Sequence, residues 1–296
     1  MEDLEKTPMG APFDDDIFDD IDIMSTDPDE PLWDKLTQQI IEGKVIPVIG
    51  PELLTVKNMN INKFIIEGFG RKLNFANPPQ SFSEIVYSPE YKAAFGDRKS
   101  ERDRIYKFVN SILTKTAFPA TPQLEKLLAI RQFPFVITTS FAPIVEQTMR
   151  TIWKDELRVM RFNNNPSLND DIKTGADLRK PTVYYMFGKV SEEIGSYVLT
   201  DTDMLDYVSS WLSNDNRARP KNLCNELKDK YLLVLGNNYA NWLFRFIWYS
   251  MRKSDLGRGM FAYDSLDESL LNFLERAETF TRQNTSEVID QIIARL

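Results

Sequence analysis

The chain has 296 residues, of which 42% are hydrophobic and 12% aromatic, so it carries enough apolar material for one large core or two small ones. A net charge of −8 and the lack of any apolar run of membrane-spanning length argue against nucleic-acid and membrane partners and predict a soluble, cytoplasmic protein. Because the sequence contains no His and one Cys, imidazole bases, Cys–His dyads, disulfides and four-cysteine zinc sites are excluded.

Residues 1–30 form an acidic segment in which Lys6 is the only basic residue. Like-charge repulsion and low hydrophobicity predict that this segment is a disordered tail. Within residues 13–23, "FDDDIFDDIDI", apolar side chains recur among the acids at roughly helical spacing. Two interpretations stay open: a solvated tail, or a short helix that docks in the basic-rimmed groove of a protein partner.

The folded part begins with a helix and a buried strand. "PLWDKLTQQIIEG" has apolar residues at helical spacing, and its Gly43 ends the predicted helix. The β-branched run "KVIPVIG" follows and is typical of a buried parallel strand. Gly50, Pro51 and Glu52 then form a junction between strand and loop.

Three further apolar runs, "FPFVITTS", "TVYYMFG" and "KYLLVLG", predict strands, and helical patterns separate them. We therefore predict an α/β fold with a Rossmann-like, mainly parallel sheet flanked by helices, and a helical insertion at residues 56–130. Ligands of such folds bind outside the carboxyl ends of the strands, so the residues there should meet around one crevice. The clusters that follow these three strands are Thr138-Thr139-Ser140, Phe187-Gly188 and Gly236-Asn237-Asn238.

Beyond a main domain of residues 31–255, the sequence predicts C-terminal helices at residues 256–296. Two apolar stripes occur there at helical spacing, the first at Leu266, Leu270, Leu271 and Leu274, and the second at Val288, Ile289, Ile292 and Ile293. Both stripes predict helices packed on the main domain, with an oligomer interface as the alternative.

In this order, the four strand-end segments resemble the Sir2-like (sirtuin-related) NAD-binding domains of bacterial defence proteins. "VIPVIGPEL" is similar to the strand and Gly-Ala-Gly loop of that family, and "VITTSFAPIVE" to its Thr-Thr-Asn-aromatic-Asp segment. "VYYMFGKVSE" with "YVLTDTDMLDYV" is similar to the His-Gly segment and the helix start after it, and "LLVLGNNYANWLFRFIW" to the loop that closes the site. The resemblance covers residues 32–250 and implies a site for NAD or ADP-ribose, formed by Gly50, Pro51, Glu52, Thr139, Ser140, Phe187, Gly188, Gly236, Asn237 and Asn238.

The sequence departs from this family at the groups that carry chemistry. Pro51 has no N–H for a phosphate oxygen, and the carboxylate of Glu52 would repel a pyrophosphate. Ser140 stands where the family has Asn, Ala142 where it has an acid, and Phe187 where it has the catalytic His. The resemblance with these departures implies a catalytically silent domain that serves as a binding, structural or regulatory subunit.

Two alternatives stay open. In the first, the protein is an active NAD glycohydrolase in which Glu52, Asp201 or Asp203 supplies the acid/base, together with Ser140. Each of these acids also has a structural interpretation, Glu52 at a helix start and the aspartates as an N-cap and first turn. In the second, the chain is an unrelated nucleotide-binding α/β domain that resembles the family only in architecture.

Other side chains likewise have a functional and a structural interpretation. Tyr184, Tyr185 and Trp242 offer stacking surfaces for adenine, but aromatic residues at such spacings more often belong to the core. Cys224 occupies the apolar face of a predicted helix, and the sequence favours a small buried hydrophobe over a reactive thiol.

Overall fold

The fold is known from a computed structural model, which describes residues 30–75, 77–96, 98–154, 157–172, 180–191, 193, 195–213, 220–228, 230–237, 259–264, 268, 272 and 279–296. Three sequence predictions fall outside these residues: the acidic tail up to residue 29, the part of "LLVLGNNYANWLFRFIW" after Asn237, and the first of the two C-terminal apolar stripes. They stay predictions.

Seven strands form one sheet in which every pairing is parallel, and this confirms the predicted α/β fold with a mainly parallel sheet. The strand order is β5-β6-β4-β1-β7-β8-β9, and a separate two-stranded hairpin consists of β2 and β3. The strands are β1 (Val45–Ile49), β2 (Thr55–Val56), β3 (Met59–Asn60), β4 (Val136–Thr138), β5 (Arg158–Arg161), β6 (Thr182–Tyr185), β7 (Tyr231–Leu235), β8 (Gly259–Tyr263) and β9 (Thr279–Gln283).

Helices cover both faces of the sheet, so successive residues of the central strands point into two separate cores. In β1, Val45 and Ile49 join the core under the N-terminal helices, while Ile46 and Val48 join the core under α9 and α10. The helices are α1 (Glu30–Ile41), α2 (Ile61–Leu73), α3 (Phe82–Val86), α4 (Pro89–Phe95), α5 (Lys99–Arg102), α6 (Arg104–Lys115), α7 (Pro122–Leu128), α8 (Ile144–Trp153), α9 (Asp201–Leu212), α10 (Lys221–Lys228) and α11 (Thr285–Arg295). In the part of the chain that the structure describes, none of them is long and apolar enough to cross a membrane.

The sequence analysis missed the small hairpin of β2 and β3, which falls at the start of the predicted helical insertion, and three strands of the main sheet. β5 has arginines at both ends, which interrupt the apolar pattern, and β8 and β9 lie where the sequence predicts only helices. The prediction that residues 256–296 form only helices is therefore wrong. Two strands of this region extend the sheet, and α11 follows them. The second predicted stripe is found on α11, where Val288, Ile289 and Ile292 are buried in the core. The boundary at residue 255 stays a prediction.

The start of α9 is fixed by a capping box. The Thr200 hydroxyl accepts a hydrogen bond from the N–H of Asp203, and the Asp203 carboxylate accepts from the N–H of Thr200 at 2.6 Å. The same carboxylate oxygen accepts from the Tyr106 hydroxyl of α6 at 2.5 Å and from the N–H of Leu199 at 3.0 Å. Asp203 therefore satisfies the N–H groups of the two residues before α9 and ties α9 to α6. This agrees with the structural interpretation that the sequence offered for it.

We predict that Thr200→Ala lowers the free energy of unfolding by about 1–2 kcal/mol, because it removes the capping hydroxyl of α9. Urea denaturation followed by circular dichroism measures this change. Thr114→Ala is the control, because Thr114 lies exposed inside α6 and its hydroxyl only donates to the Asn110 carbonyl of the same helix. That variant should change stability by less than about 0.5 kcal/mol, and equal losses in both variants would contradict the capping role.

Candidate functional site

The four predicted strand-end segments meet at one edge of the sheet, because their strands are neighbours in the order β6-β4-β1-β7. Backbone hydrogen bonds continue past the strands and join the segments. The N–H of Thr139 donates to the Ile49 carbonyl at 3.0 Å, and that of Met186 donates to the Thr138 carbonyl at 2.9 Å. The N–H of Gly50 donates to the Leu235 carbonyl at 2.8 Å.

The loops after β1 and β7 interlock, and each depends on a glycine. A Cβ on Gly50 would lie 2.2 Å from the Gly236 carbonyl oxygen, and a Cβ on Gly236 would lie 2.6 Å from the Leu53 nitrogen. Gly236 also has a φ of +64°, a conformation that favours glycine, whereas Gly50 has an ordinary φ of −95°. The glycine at position 50 therefore serves the close approach of a neighbouring loop.

The backbone N–H groups of the loop after β1 are all occupied within the fold. Besides Gly50, the N–H of Glu52 donates to the Gly236 carbonyl at 3.0 Å, and the N–H of Leu53 donates to the Gly50 carbonyl at 3.3 Å. The N–H of Leu54 donates to the Pro51 carbonyl at 3.1 Å, and Pro51 itself has none. Phosphate-binding loops need several N–H groups that point at the ligand, so residues 50–54 lack the donors of such a loop.

Asn237 bridges three strands with its side-chain amide. The side chain is 2% exposed, and its Nδ2 donates to the carbonyls of Val48 at 3.1 Å and Leu235 at 3.3 Å. Its Oδ1 accepts from the Thr139 hydroxyl at 2.7 Å, which adds β4 to the same cluster. Both Nδ2 hydrogens and one oxygen lone pair are thus used inside the protein.

Glu52 holds the hairpin and α2 against the loop after β1. Its carboxylate accepts a hydrogen bond from Asn60 Nδ2 at 2.7 Å, and the Oδ1 of Asn60 in turn caps α2 by accepting from the N–H of Lys63. Glu52 is also the middle residue of a short 3₁₀ helix, Pro51–Leu53. This placement agrees with the helix-start interpretation of the sequence.

Two of the predicted site residues, Ser140 and Phe187, are buried. Ser140 is 2% exposed, and its hydroxyl accepts from the N–H of Ala142 at 3.2 Å. Phe187 is 7% exposed and belongs to the apolar core under α9 and α10. Neither side chain offers a free acid or base at the sheet edge.

An ion-paired carboxylate that the sequence analysis missed lies beside this edge. Glu146 of α8 is 8% exposed, and it pairs with Lys189 at 2.5 Å and Arg150 at 3.1 Å. The Tyr185 hydroxyl donates to it at 3.4 Å, and burial together with this carboxylate raises the pKa of Tyr185 well above its usual range. The four-residue spacing of Glu146 and Arg150 could have predicted their ion pair from sequence. The pair with Lys189 could not be predicted, because the two residues are far apart in the chain.

The remaining candidates are dispersed. Asp201 is exposed on α9, and its N–H donates to the Ser83 hydroxyl at 2.9 Å. Tyr184 and Tyr185 are fully buried in the two cores and present no ring face to a ligand, and Cys224 is buried as expected. Asn238 and Trp242 lie outside the described residues. Within the described ranges, no three acidic or cysteine side chains cluster as metal ligands do.

The sequence profile of the SIR2-like domain family matches residues 134–289, which is more than half of the chain. The chain belongs to the SIR2-like domain family. The matched region includes β4, Phe187-Gly188 and Gly236-Asn237, and it continues through β9. β1 and the loop after it precede the match. A comparison with curated protein sequences gave no match.

The SIR2-like family implies NAD as a ligand, but the described strand ends do not fit it. A pyrophosphate between β1 and β7 would need donors, and the N–H groups of residues 50–54 and the Asn237 amide already have acceptors within the protein. Phe187 at this edge is a buried phenyl ring, which cannot accept a proton. We therefore derive no reaction step through NAD.

Gly188 is predicted to be intolerant of any side chain. Its φ is +75°, and a Cβ would lie 2.2 Å from the Ser196 carbonyl oxygen and 2.6 Å from the Cα of Tyr197. We expect Gly188→Ala to lower the free energy of unfolding by about 3 kcal/mol or more, because backbone strain and steric overlap add. Thermal and urea unfolding measure the loss.

Gly195→Ala is the matched control for this prediction. Gly195 has a similar φ of +79°, but nothing lies within 4 Å of its Cβ position. Its substitution therefore measures the conformational strain alone, about 1–2 kcal/mol. A Gly188→Ala variant no less stable than Gly195→Ala would contradict the close approach to residues 196–197.

Asn237→Ala should lower the free energy of unfolding by about 2–4 kcal/mol, because it removes three buried hydrogen bonds that join β1, β4 and β7. Asn225→Ala is the control, since Asn225 is exposed on α10 and only accepts from Lys228. Chemical denaturation of both variants tests the difference. Similar stability in the two variants would show that the Asn237 bridge does not hold the strand ends.

Proposed function

We propose that this SIR2-like domain does not hydrolyse NAD and acts as a binding, structural or regulatory subunit. The observation that carries the proposal is the loop after β1, whose N–H groups from Gly50 to Leu54 are bonded within the protein or, at Pro51, absent. A loop in this state has no donors to hold a pyrophosphate. The proposed setting, bacterial anti-phage defence or a related conflict system, rests on the family resemblance alone.

The chemistry of the strand ends supports the same proposal. Hydrolysis of NAD at this edge would need a group that takes a proton, and the sequence has no His. Phe187 and Ala142 cannot accept a proton, and the Ser140 hydroxyl is buried and bonded to a neighbouring N–H.

The contacts of the carboxylates disfavour an active enzyme with a relocated acid/base. Glu52 accepts a hydrogen bond from Asn60, and Asp203 accepts several at the start of α9. Asp201 is exposed on α9. Glu146 is buried, and its carboxylate oxygens are paired with Arg150 and Lys189.

We predict that the purified protein releases no nicotinamide from NAD above the rate in buffer, and that calorimetry detects no binding of NAD or ADP-ribose. Glu52→Gln and Ser140→Ala should leave both results unchanged, because neither group is available for chemistry. An active NAD glycohydrolase run in parallel verifies the assay. Nicotinamide release that either substitution abolishes would refute the silent-domain proposal.

A further inference from the structure

The outward side of α9 carries an unusual amount of exposed apolar surface. Thr202, Leu205, Ser209 and Leu212 recur there at helical spacing, and the two leucines are 55% and 52% exposed. The opposite side of α9 buries Tyr207 and Trp211 in the core. Tyr87, which is 56% exposed, adjoins this surface because its hydroxyl hydrogen-bonds with Thr202 at 2.9 Å. We call Tyr87, Thr202, Leu205, Ser209 and Leu212 the α9 face.

A cavity of about 530 Å³ opens at the N-terminal end of the α9 face, between α9, α3 and the start of α6. Its size falls within the usual range of ligand pockets, roughly 300–1,000 Å³. Tyr87, Tyr106, Asp103, Asp203 and Asp206 are among the residues that line it, and none of the lining residues whose side chains the structure describes is a Lys or Arg. Aromatic rings and carboxylates together are the surroundings that an ammonium or guanidinium group prefers.

Three carboxylates around the α9 face can still accept ion pairs or hydrogen bonds. Within the described part of the chain, Asp206 and Asp201 are exposed on α9 and form no ion pair, and the Asp103 side chain caps no N–H of α6. The partial positive charge at the N-terminus of α9 offsets part of this negative charge, but only within the first turn of the helix. The α9 face therefore combines apolar anchor points with an acidic end.

Charge decides which occupant fits this surface. A second copy would place its own Asp201 and Asp206 against those of the first, and like charges disfavour that pairing. The acidic residues 13–23 of the same chain would meet the same repulsion. A segment that carries both apolar and basic side chains is complementary to both parts of the face.

We propose that the α9 face and its cavity form the docking surface for a basic amphipathic segment of a partner protein. In this arrangement a Lys or Arg side chain enters the cavity between the two phenol rings, and apolar residues contact Leu205 and Leu212. Those leucines are seven residues apart, about 10 Å along the helix, so one partner helix can contact both. This inference rests on the proposed function as a binding subunit, and it identifies the surface of this chain to which the partner binds.

The test measures fluorescence anisotropy of labelled amphipathic helical peptides titrated with the full-length protein. One peptide has a Leu face and a Lys face, and the other has Glu in place of every Lys. We expect binding of the Lys peptide that weakens with salt, and no binding of the Glu peptide. The double variant Leu205→Gln/Leu212→Gln should weaken binding at least about tenfold, and Asp206→Asn a few-fold.

A matched control separates this surface from general attraction to an acidic protein. Asp34→Asn/Ile41→Gln removes one exposed charge and one exposed apolar side chain from α1, where Ile41 is 55% exposed. This variant should bind the Lys peptide like the parent protein. Failure of the Lys peptide to bind, equal binding of the Glu peptide, or equal weakening by the control variant would overturn the docking surface. So would a dimer that Leu205→Gln/Leu212→Gln dissociates in sedimentation.

The nicotinamide assay on the same preparations keeps this inference apart from the proposed function. If peptide binding fails and no nicotinamide is released, only the docking surface is refuted. If nicotinamide is released, the silent-domain proposal is refuted whatever the peptides do.

Discussion

The side-chain amide of Asn237 is the interaction on which the carboxyl edge of the sheet depends. It bonds to β1, β4 and β7 at once, and it is fully enclosed, so leaving any of these groups unpaired would be costly. Gly50 and Gly236 let the adjoining loops approach closely enough for this bridge to form. The donors of Asn237 and of the loop after β1 are thus used within the protein.

Three apolar residues at this edge have a common physical consequence. Pro51 has no N–H that would need a partner, Ala142 has no polar side chain, and Phe187 places a phenyl ring in the core. A buried polar group without a partner is unfavourable, whereas a buried phenyl ring contributes favourable transfer free energy. Each of the three residues therefore lowers the free-energy cost of enclosing the strand ends.

The sequence predicted the central strands because continuous β-branched runs such as "KVIPVIG" have few other interpretations. It did not reveal β5, whose arginines break the apolar run, or β8 and β9, which lie in a region with strong helical stripes. It also predicted which segments meet at the edge, since parallel strands fix that. Which polar groups are free there could not be predicted, because the answer depends on partners far apart in the chain, such as Asn237 and Val48 or Asp203 and Tyr106.

The strand ends and α9 are physically connected through Gly188. A Cβ at this position would lie 2.6 Å from the Tyr207 hydroxyl, so the glycine lets Tyr207 of α9 pack close to the end of β6. The capping box and the Tyr106 hydroxyl fix the other side of α9, so its exposed face is presented on a rigid element. Gly188 is thus explained by the packing of residues 196–197 and of α9, whichever residue precedes it. The glycine therefore supports the placement of α9, whose exposed face lies outside the four strand-end segments.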